Sequence, residues 1–402
     1  MAVYLLATLD TKGAEADFVR ARLIALGLKV VLIDTGCLGA ATVAAEVSRE
    51  EVFRAAGESH AEFVARGDRG AAVSAAARGA VNLVSAAYAR GEVDGVLALG
   101  GSAGTTIGAA AMRALPLGVP KVMVSTLASG NVRAWVGDKD ICMLNSVVDI
   151  AGINRISRRV LSEAAAATAG MVRFRASETD DDRPLIAATM FGVTTPCIQH
   201  ARGILEAAGY EVLVFHATGN GGQAMESLIR DGLIAGVLDI TTTELADELV
   251  GGILSAGPDR LTAAGARGVP QVISVGALDM VNFGPRESVP ARFADRQFHV
   301  HNSTVTLMRT TAAENARMGA EIGRKAAAAK GPVTILLPRQ GVSAIDRAGQ
   351  PFDDPATREA LFHAIRDTAG SVTVRELDCH LNDPLFAEAV AESLLAALKS
   401  RS

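Results

Sequence analysis

The second half of this chain repeats, in order, the four apolar runs of the first half. PLIAATM (184–190) matches VYLLATL (3–9), and ARGILEAAGYEVLVFHATG (201–219) matches ARLIALGLKVVLIDTG (21–36). LIAGVLDITTTE (233–244) falls where EVDGVLALGGSAG (92–104) falls, and RGVPQVISVGALD (267–279) where LGVPKVMVSTLAS (117–129) falls. Each matched segment contains an apolar run of strand length, and helical stretches separate these runs. A repeated order of strands and helices constrains a chain to two domains of one α/β class. In the first repeat, VYLLATL, DTKGAEADFVRARLIALG and KVVLIDTG read as strand, helix and strand. Within about 35 residues this is a βαβ unit, which requires parallel pairing through a right-handed crossover.

The expected architecture is therefore α/β, with two Rossmann-like three-layer domains and mostly parallel sheets. Their bounds are expected at 1–178 and 179–402, within the acidic, proline-ended stretch SETDDDRP (177–184). An Ala- and Glu-rich insertion, 37–91, interrupts the first domain. It opens a helix with the capping pair Ser48 and Glu51 and continues into a long Ala-rich helix from about Gly70 to Arg90. Past its fourth matching run the second half adds RQFHVHN, GPVTILLPRQG and SVTVRELD as further strand candidates. Asn382-Asp383-Pro384 then starts a closing amphipathic helix.

Open parallel sheets bind ligands beyond the carboxyl ends of their strands, where loops and helix N-termini converge. LALGGSAGTT (97–106) lies at such an end. Gly100, Gly101 and Gly104 lack Cβ atoms, which permits positive φ and close approach of an anion to backbone amides at a helix N-terminus. Ser102, Thr105 and Thr106 add hydroxyls. The stretch is neither a Walker A loop nor GxGxxG; a glycine-permitted turn with helix-capping threonines is the alternative reading. ATLDTKG (7–13) ends the first strand with Thr8, Asp10, Thr11 and Lys12: Asp10 either holds Mg2+ or caps the next helix, and Lys12 either meets a phosphate or is solvated. Gly130 and Asn131 follow the fourth strand. In the second domain His216, Gly219, Gly221 and Gly222 form a glycine loop for phosphate or sugar, or a plain flexible loop. Asp239, Thr241 and Glu244 offer a general base or a magnesium ligand, with helix capping as the alternative.

Together, ATLDTKG, LGGSAGTT, VSTLASGN, SVVDIAGINRISRRVL, HATGNGGQAMESL and DCHLNDPLFAEA make the chain resemble the Tm-1-like ATP-binding domain family. This uncharacterised bacterial, fungal and plant family includes the amino-terminal half of the tomato mosaic virus resistance protein. The resemblance spans essentially all 402 residues. It implies two Rossmann-like subdomains, ATP binding, and self-association, here expected as a homodimer or higher homo-oligomer. With Asp10 in view, Mg2+ is expected beside the ATP, and a small metabolite as second substrate or effector. The TIM-barrel-like half of the plant protein has no counterpart here, so inhibition of viral replication is not carried over. The family supplies no accepted catalytic residues.

Other constellations carry competing chemistry. His299 and His301 form an HxH on a strand, which with His380 suggests a metal-dependent hydrolase or lyase; paired structural histidines are the alternative. Asp378 and His380 are a second such pair. Cys197 and His200, at i and i+3, are a nucleophile pair or a buried cysteine beside a surface histidine; Cys142 is a further nucleophile candidate. Arg155, Arg158 and Arg159 form a solvated helix face or a phosphate clamp, and Thr311 with Glu314 is a capping pair. A net charge of -5 provides no footprint for nucleic acid. No apolar run approaches the ~20 residues of a membrane span. The scattered cysteines 37, 142, 197 and 379 give neither a zinc pattern nor a disulfide framework, and the amino terminus lacks a basic leader, so a cytoplasmic location is expected.

Overall fold

A computed structural model describes residues 1–174 and 182–400. The chain divides into two compact units, Met1–Thr179 and Asp180–Ser402. The boundary expected at 178/179 lies outside the described residues.

In the first unit, β1 (Ala2–Ala7), β2 (Val30–Asp34), β3 (Val93–Gly100), β4 (Lys121–Ser125) and β5 (Cys142–Asn145) form one sheet in the order β2-β1-β3-β4-β5. Every neighbouring pair is parallel. Alternation of side chains along these strands sends apolar groups to both faces. Val3, Leu5, Leu97, Leu99, Val122 and Val124 pack with Ala16, Val19, Leu161 and Ala164 of the helices Gly13–Ala25 and Arg155–Arg173. Leu6, Val96, Ala98 and Met123 pack with Val52, Ala76, Ala80 and Ile107 of the helices on the other side. Two covered faces explain why these strands read as continuous apolar runs. The alanines of helix Arg69–Ala89 permit tight packing: a Cβ on Gly79 would stand 1.9 Å from the Val52 carbonyl oxygen.

The second unit contains β6 (Leu185–Met190), β7 (Glu211–His216), β8 (Gly236–Thr241), β9 (Gln271–Gly276), β10 (Met280–Phe283), β11 (Phe298–Asn302), β12 (Val305–Arg309), β13 (Val333–Pro338) and β14 (Thr373–Leu377). Its main sheet runs β14-β13-β9-β8-β6-β7, again with all pairs parallel. The order β7-β6-β8-β9 reproduces β2-β1-β3-β4, so the sequence repeat is also a topological repeat. Corresponding hydrogen bonds mark the register: the Val96 amide donates to the Pro120 carbonyl at 2.8 Å, and the Val237 amide to the Pro270 carbonyl at 2.9 Å. Both units are thus mixed α/β with mostly parallel sheets, a general Rossmann-like architecture.

The three further strand candidates go to two different sheets. RQFHVHN yields β11, which leaves the parallel sheet and joins β10 and β12 in a small antiparallel sheet, β10-β12-β11. GPVTILLPRQG and SVTVRELD become β13 and β14 at the edge beyond β9. Among the described residues, no helix is long and apolar enough to cross a membrane.

Candidate functional site

In the first sheet the chain moves from β1 outward to β2, then returns to the other side of β1 for β3. The carboxyl ends of β1 and β3 therefore flank a topological switch point, where an open parallel sheet leaves a crevice. Three loops meet there, following β1, β2 and β3.

The first loop is held by Asp10, although not as expected. Its Oδ2 accepts from the amides of Cys37 (3.2 Å), Leu38 (3.4 Å) and Gly39 (3.2 Å), so it braces the loop after β2 rather than capping a helix. Its Oδ1 is buried and has no hydrogen-bond partner. Lys12 occupies the cap position of helix Gly13–Ala25 without a side-chain capping bond, and the Thr8 and Thr11 hydroxyls meet at 3.0 Å.

Asp34, at the end of β2, binds the two loops together. Oδ1 accepts from the amides of Leu9 (3.1 Å) and Gly36 (2.8 Å), and Oδ2 meets Arg49 Nε at 2.7 Å. Arg49 Nη1 also donates to the Gly39 carbonyl. Between these groups Cys37 is buried, and burial pushes its thiol up to about 11, so it is held as the thiol.

After β3, the chain turns into helix Ser102–Arg113. Gly100, Gly101 and Gly104 all lack the positive φ expected of them. Two are required instead by close packing: a Cβ on Gly100 would lie 2.8 Å from Gly104 Cα, and one on Gly104 would lie 2.9 Å from the Leu99 carbonyl oxygen. Gly101 has φ −81°, and a Cβ there would find only Thr126 Oγ1, at 3.7 Å. Intrahelical bonding begins with the Thr105 amide donating to the Gly101 carbonyl, and no side chain caps the helix. The Thr105 hydroxyl turns inward, 2.7 Å from Ser125 Oγ and fully buried. Thr106 donates to the Ser102 carbonyl at 2.9 Å.

Two adjoining cavities open at this edge. One, of about 200 Å³, gathers Thr8, Asp10, Thr11, the 37–39 loop, Arg69 and Ala103. The other, of about 410 Å³, is lined by Arg69, Gly70, Val73, Ser102, Ala103 and Thr106. Thus Thr8, Asp10, Thr11, Ser102 and Thr106 come to the crevice, whereas Lys12, Gly100, Gly101, Gly104, Thr105, Gly130 and Asn131 line neither cavity. Gly130 and Asn131 form an exposed turn, with Asn131 Oδ1 accepting from the Arg133 amide. Arg69, absent from the sequence reading, is the cation common to both cavities. It is the first residue of the long Ala-rich helix, beside the capping Asp68, and that junction was its only local signal.

The second unit fills its corresponding edge with its own charge. Arg260 is buried against Asp239 (2.5 Å), Glu244 (2.7 Å) and Glu226 (3.3 Å). Glu244 Oε1 accepts from the amides of Gly219 (2.7 Å) and Gly222 (3.1 Å), the groups expected to meet a phosphate. Burial raises the Glu244 carboxyl against the pull of Arg260. Counting seven residues on from Val96 and from Val237, which share the same register bond, Glu244 occupies the position of Ala103. The first unit therefore has a methyl group where the second has a carboxylate.

The remaining constellations are engaged structurally. His380 is buried, with Nε2 2.8 Å from the Ser343 carbonyl and Nδ1 accepting from the Asn382 amide. The His299 and His301 rings lie 6.5 Å apart, and His299 is edge-on to Phe352. Among the described residues, no group of three His, Cys, Asp or Glu is placed to hold a metal ion. Cys197 is buried with its thiol pushed up by burial, while His200 is exposed beside Glu388. Arg158 stacks over Phe18 and Arg159 pairs with Glu163. Thr311 and Glu314 form the expected capping box.

Residues 1–177 match the N-terminal domain, and residues 183–398 the C-terminal domain, of the uncharacterised protein family UPF0261. The chain belongs to the UPF0261 family. A UPF0261 protein of Clostridium tetani is 49% identical over 395 residues, 98% of each chain, and one of Rhizobium meliloti is 46% identical over 96% of each. The tomato (Solanum lycopersicum) ToMV resistance protein Tm-1(GCR237) is 44% identical over 81% of this chain and 44% of its own length. UPF0261 thus includes the Tm-1-like proteins named by the resemblance.

Proposed function

We propose that the first unit is a Rossmann-like three-layer domain that binds ATP with Mg2+ in the crevice between the ends of β1 and β3. What carries this reading is the contrast between Ala103 and Glu244. At this position the second unit has a carboxylate, engaged with Arg260 and the Gly219 and Gly222 amides, whereas the first has only a methyl group and leaves its uncapped helix N-terminus open beside Arg69. The phosphates occupy this gap, against the amides of 102–104, the Ser102 hydroxyl and the Arg69 guanidinium. Thr8 and Thr11 supply hydroxyls at the other end. Asp10 fits the cation: its Oδ1 is an orphaned carboxylate oxygen, and Mg2+ takes one or two carboxylates together with phosphate oxygens. Bound there, the ion neutralises phosphate charge.

Calorimetric titration of the intact chain with ATP and Mg2+ tests the reading, beside the variant Ala103→Glu. The wild type binds, and Ala103→Glu, which puts a carboxylate on the wall common to both cavities, loses binding while remaining folded. Equal binding by the two proteins would refute it.

A further inference from the structure

A larger cavity, of about 760 Å³, lies beyond β2 and shares Leu38 and Gly39 with the cavity beside Asp10. Its walls come from the 38–48 segment and from helix His60–Arg66. Six of its lining residues are alanines, including Ala44, Ala61 and Ala65. Short side chains on both sides leave a broad apolar slot, of a size that ligand sites commonly have.

Its polar residues are unevenly engaged. Asp34 and Arg49 are spent on each other. His60 places Nε2 at 2.9 Å from the Cys37 carbonyl, and a carbonyl only accepts, so Nε2 carries hydrogen. Nδ1 makes no hydrogen bond to Glu50, whose Oε1 stands at 3.8 Å, beyond hydrogen-bond range. The ring is held in place edge-on to Phe53, 5.0 Å between centroids. The Glu50 carboxylate, with His60 Nδ1 beside it, thus stands at one apolar cavity. The carboxylate matches a hydrogen-bond donor and repels a phosphate.

We propose that this cavity takes the amino-bearing purine ring of the bound nucleotide, with Glu50 reading its exocyclic amine. The inference rests on the phosphate site above: that site holds the anionic end near Arg69, and its cavity borders the same Leu38 and Gly39 as this one. Selectivity follows, because inosine carries an oxygen where adenine carries the amine, and the Glu50 carboxylate disfavours an acceptor.

The test uses the full chain, Mg2+ and three titrants: ATP, ITP and inorganic tripolyphosphate. Wild type binds ATP at least tenfold more tightly than ITP, and Glu50→Gln narrows that gap. Ala61→Phe, on an exposed helix position, fills the slot and weakens ATP at least tenfold while leaving tripolyphosphate unchanged. Ala65→Phe repeats the experiment should the first variant misfold by circular dichroism. Equal affinity for ATP and ITP, or unchanged ATP binding by a folded filled variant, overturns the base site alone. Failure of wild type to bind either ATP or tripolyphosphate overturns the phosphate site and this inference with it.

Discussion

Arg49 Nη2 lies 2.6 Å from Asp34 Oδ2, and the two side chains are 5% and 4% exposed. A buried pair of this kind is costly to break from one side, because the survivor is left as an uncompensated charge. Here Asp34 also accepts the Leu9 and Gly36 amides, so the pair fixes the loops after β1 and β2. Arg49→Ala is expected to lower stability by about 3–5 kcal/mol, measured by urea unfolding. A loss below about 1 kcal/mol would show that the loops hold without it.

The two glycines at the turn into helix Ser102–Arg113 separate packing from binding. Gly104→Ala would gain helix propensity but pushes a Cβ against the Leu99 carbonyl, and overpacking of this kind costs about 1–3 kcal/mol. Gly101→Val keeps the fold, since φ −81° suits any residue and the space is open. It is expected to weaken ATP binding, because a branched side chain at the N-cap crowds the approach to the amides of 102–104 proposed to meet the anion. Calorimetry and denaturation on both variants give opposite patterns; a folded Gly101→Val that binds normally contradicts the placement of the phosphates.

Arg69 is exposed and stands at a helix start. Arg69→Gln should therefore change stability by no more than about 0.5 kcal/mol. ATP affinity should fall about tenfold, as expected when a charge-assisted hydrogen bond of about 1.5 kcal/mol is lost. Titration at two salt concentrations checks the assignment, since the wild type loses more affinity on adding salt than the variant does.

Burial raises Asp247 to about 7, its carboxylate facing the Asn282 side chain and the Leu254 and Asn282 amides. The folded state then holds a proton that the unfolded state, near 3.8, has released. The corresponding stability is fully present below about pH 4 and declines as pH rises toward about 7. Asp247→Asn removes this slope: relative to the variant, wild type loses stability between pH 5 and pH 7.5. The Asn282 side-chain oxygen, unpartnered in the wild type, can accept from the new amide after a flip. Parallel pH profiles for the two proteins would contradict the assignment.

Much of the fold was legible because it rests on local pattern. The matched runs at VYLLATL and PLIAATM, or at PKVMV and PQVIS, carry strand periodicity and a repeated order that the topology preserves. RQFHVHN was legible as a strand but its sheet was not, because period and composition do not specify a strand's partner; it pairs with β12, which the sequence does not mark. The crevice was legible at Thr8, Asp10, Thr11 and Ser102, which follow strand ends directly. Arg69 was not, because 31 residues separate it from the end of β3 and only the packing of an insertion helix brings it back. Nor was the role of Glu244, whose partners Gly219 and Arg260 are fixed by tertiary contacts alone.

Glu244 gives the repeated halves unequal responses to their surroundings. One half carries a counterion in its own covalent structure. On the function proposed above, the other half takes that charge from solution, so its melting temperature is expected to rise with nucleotide concentration while that of the carboxylate-held half stays put. One repeat is then a self-satisfied scaffold, and the other is set by the supply around it.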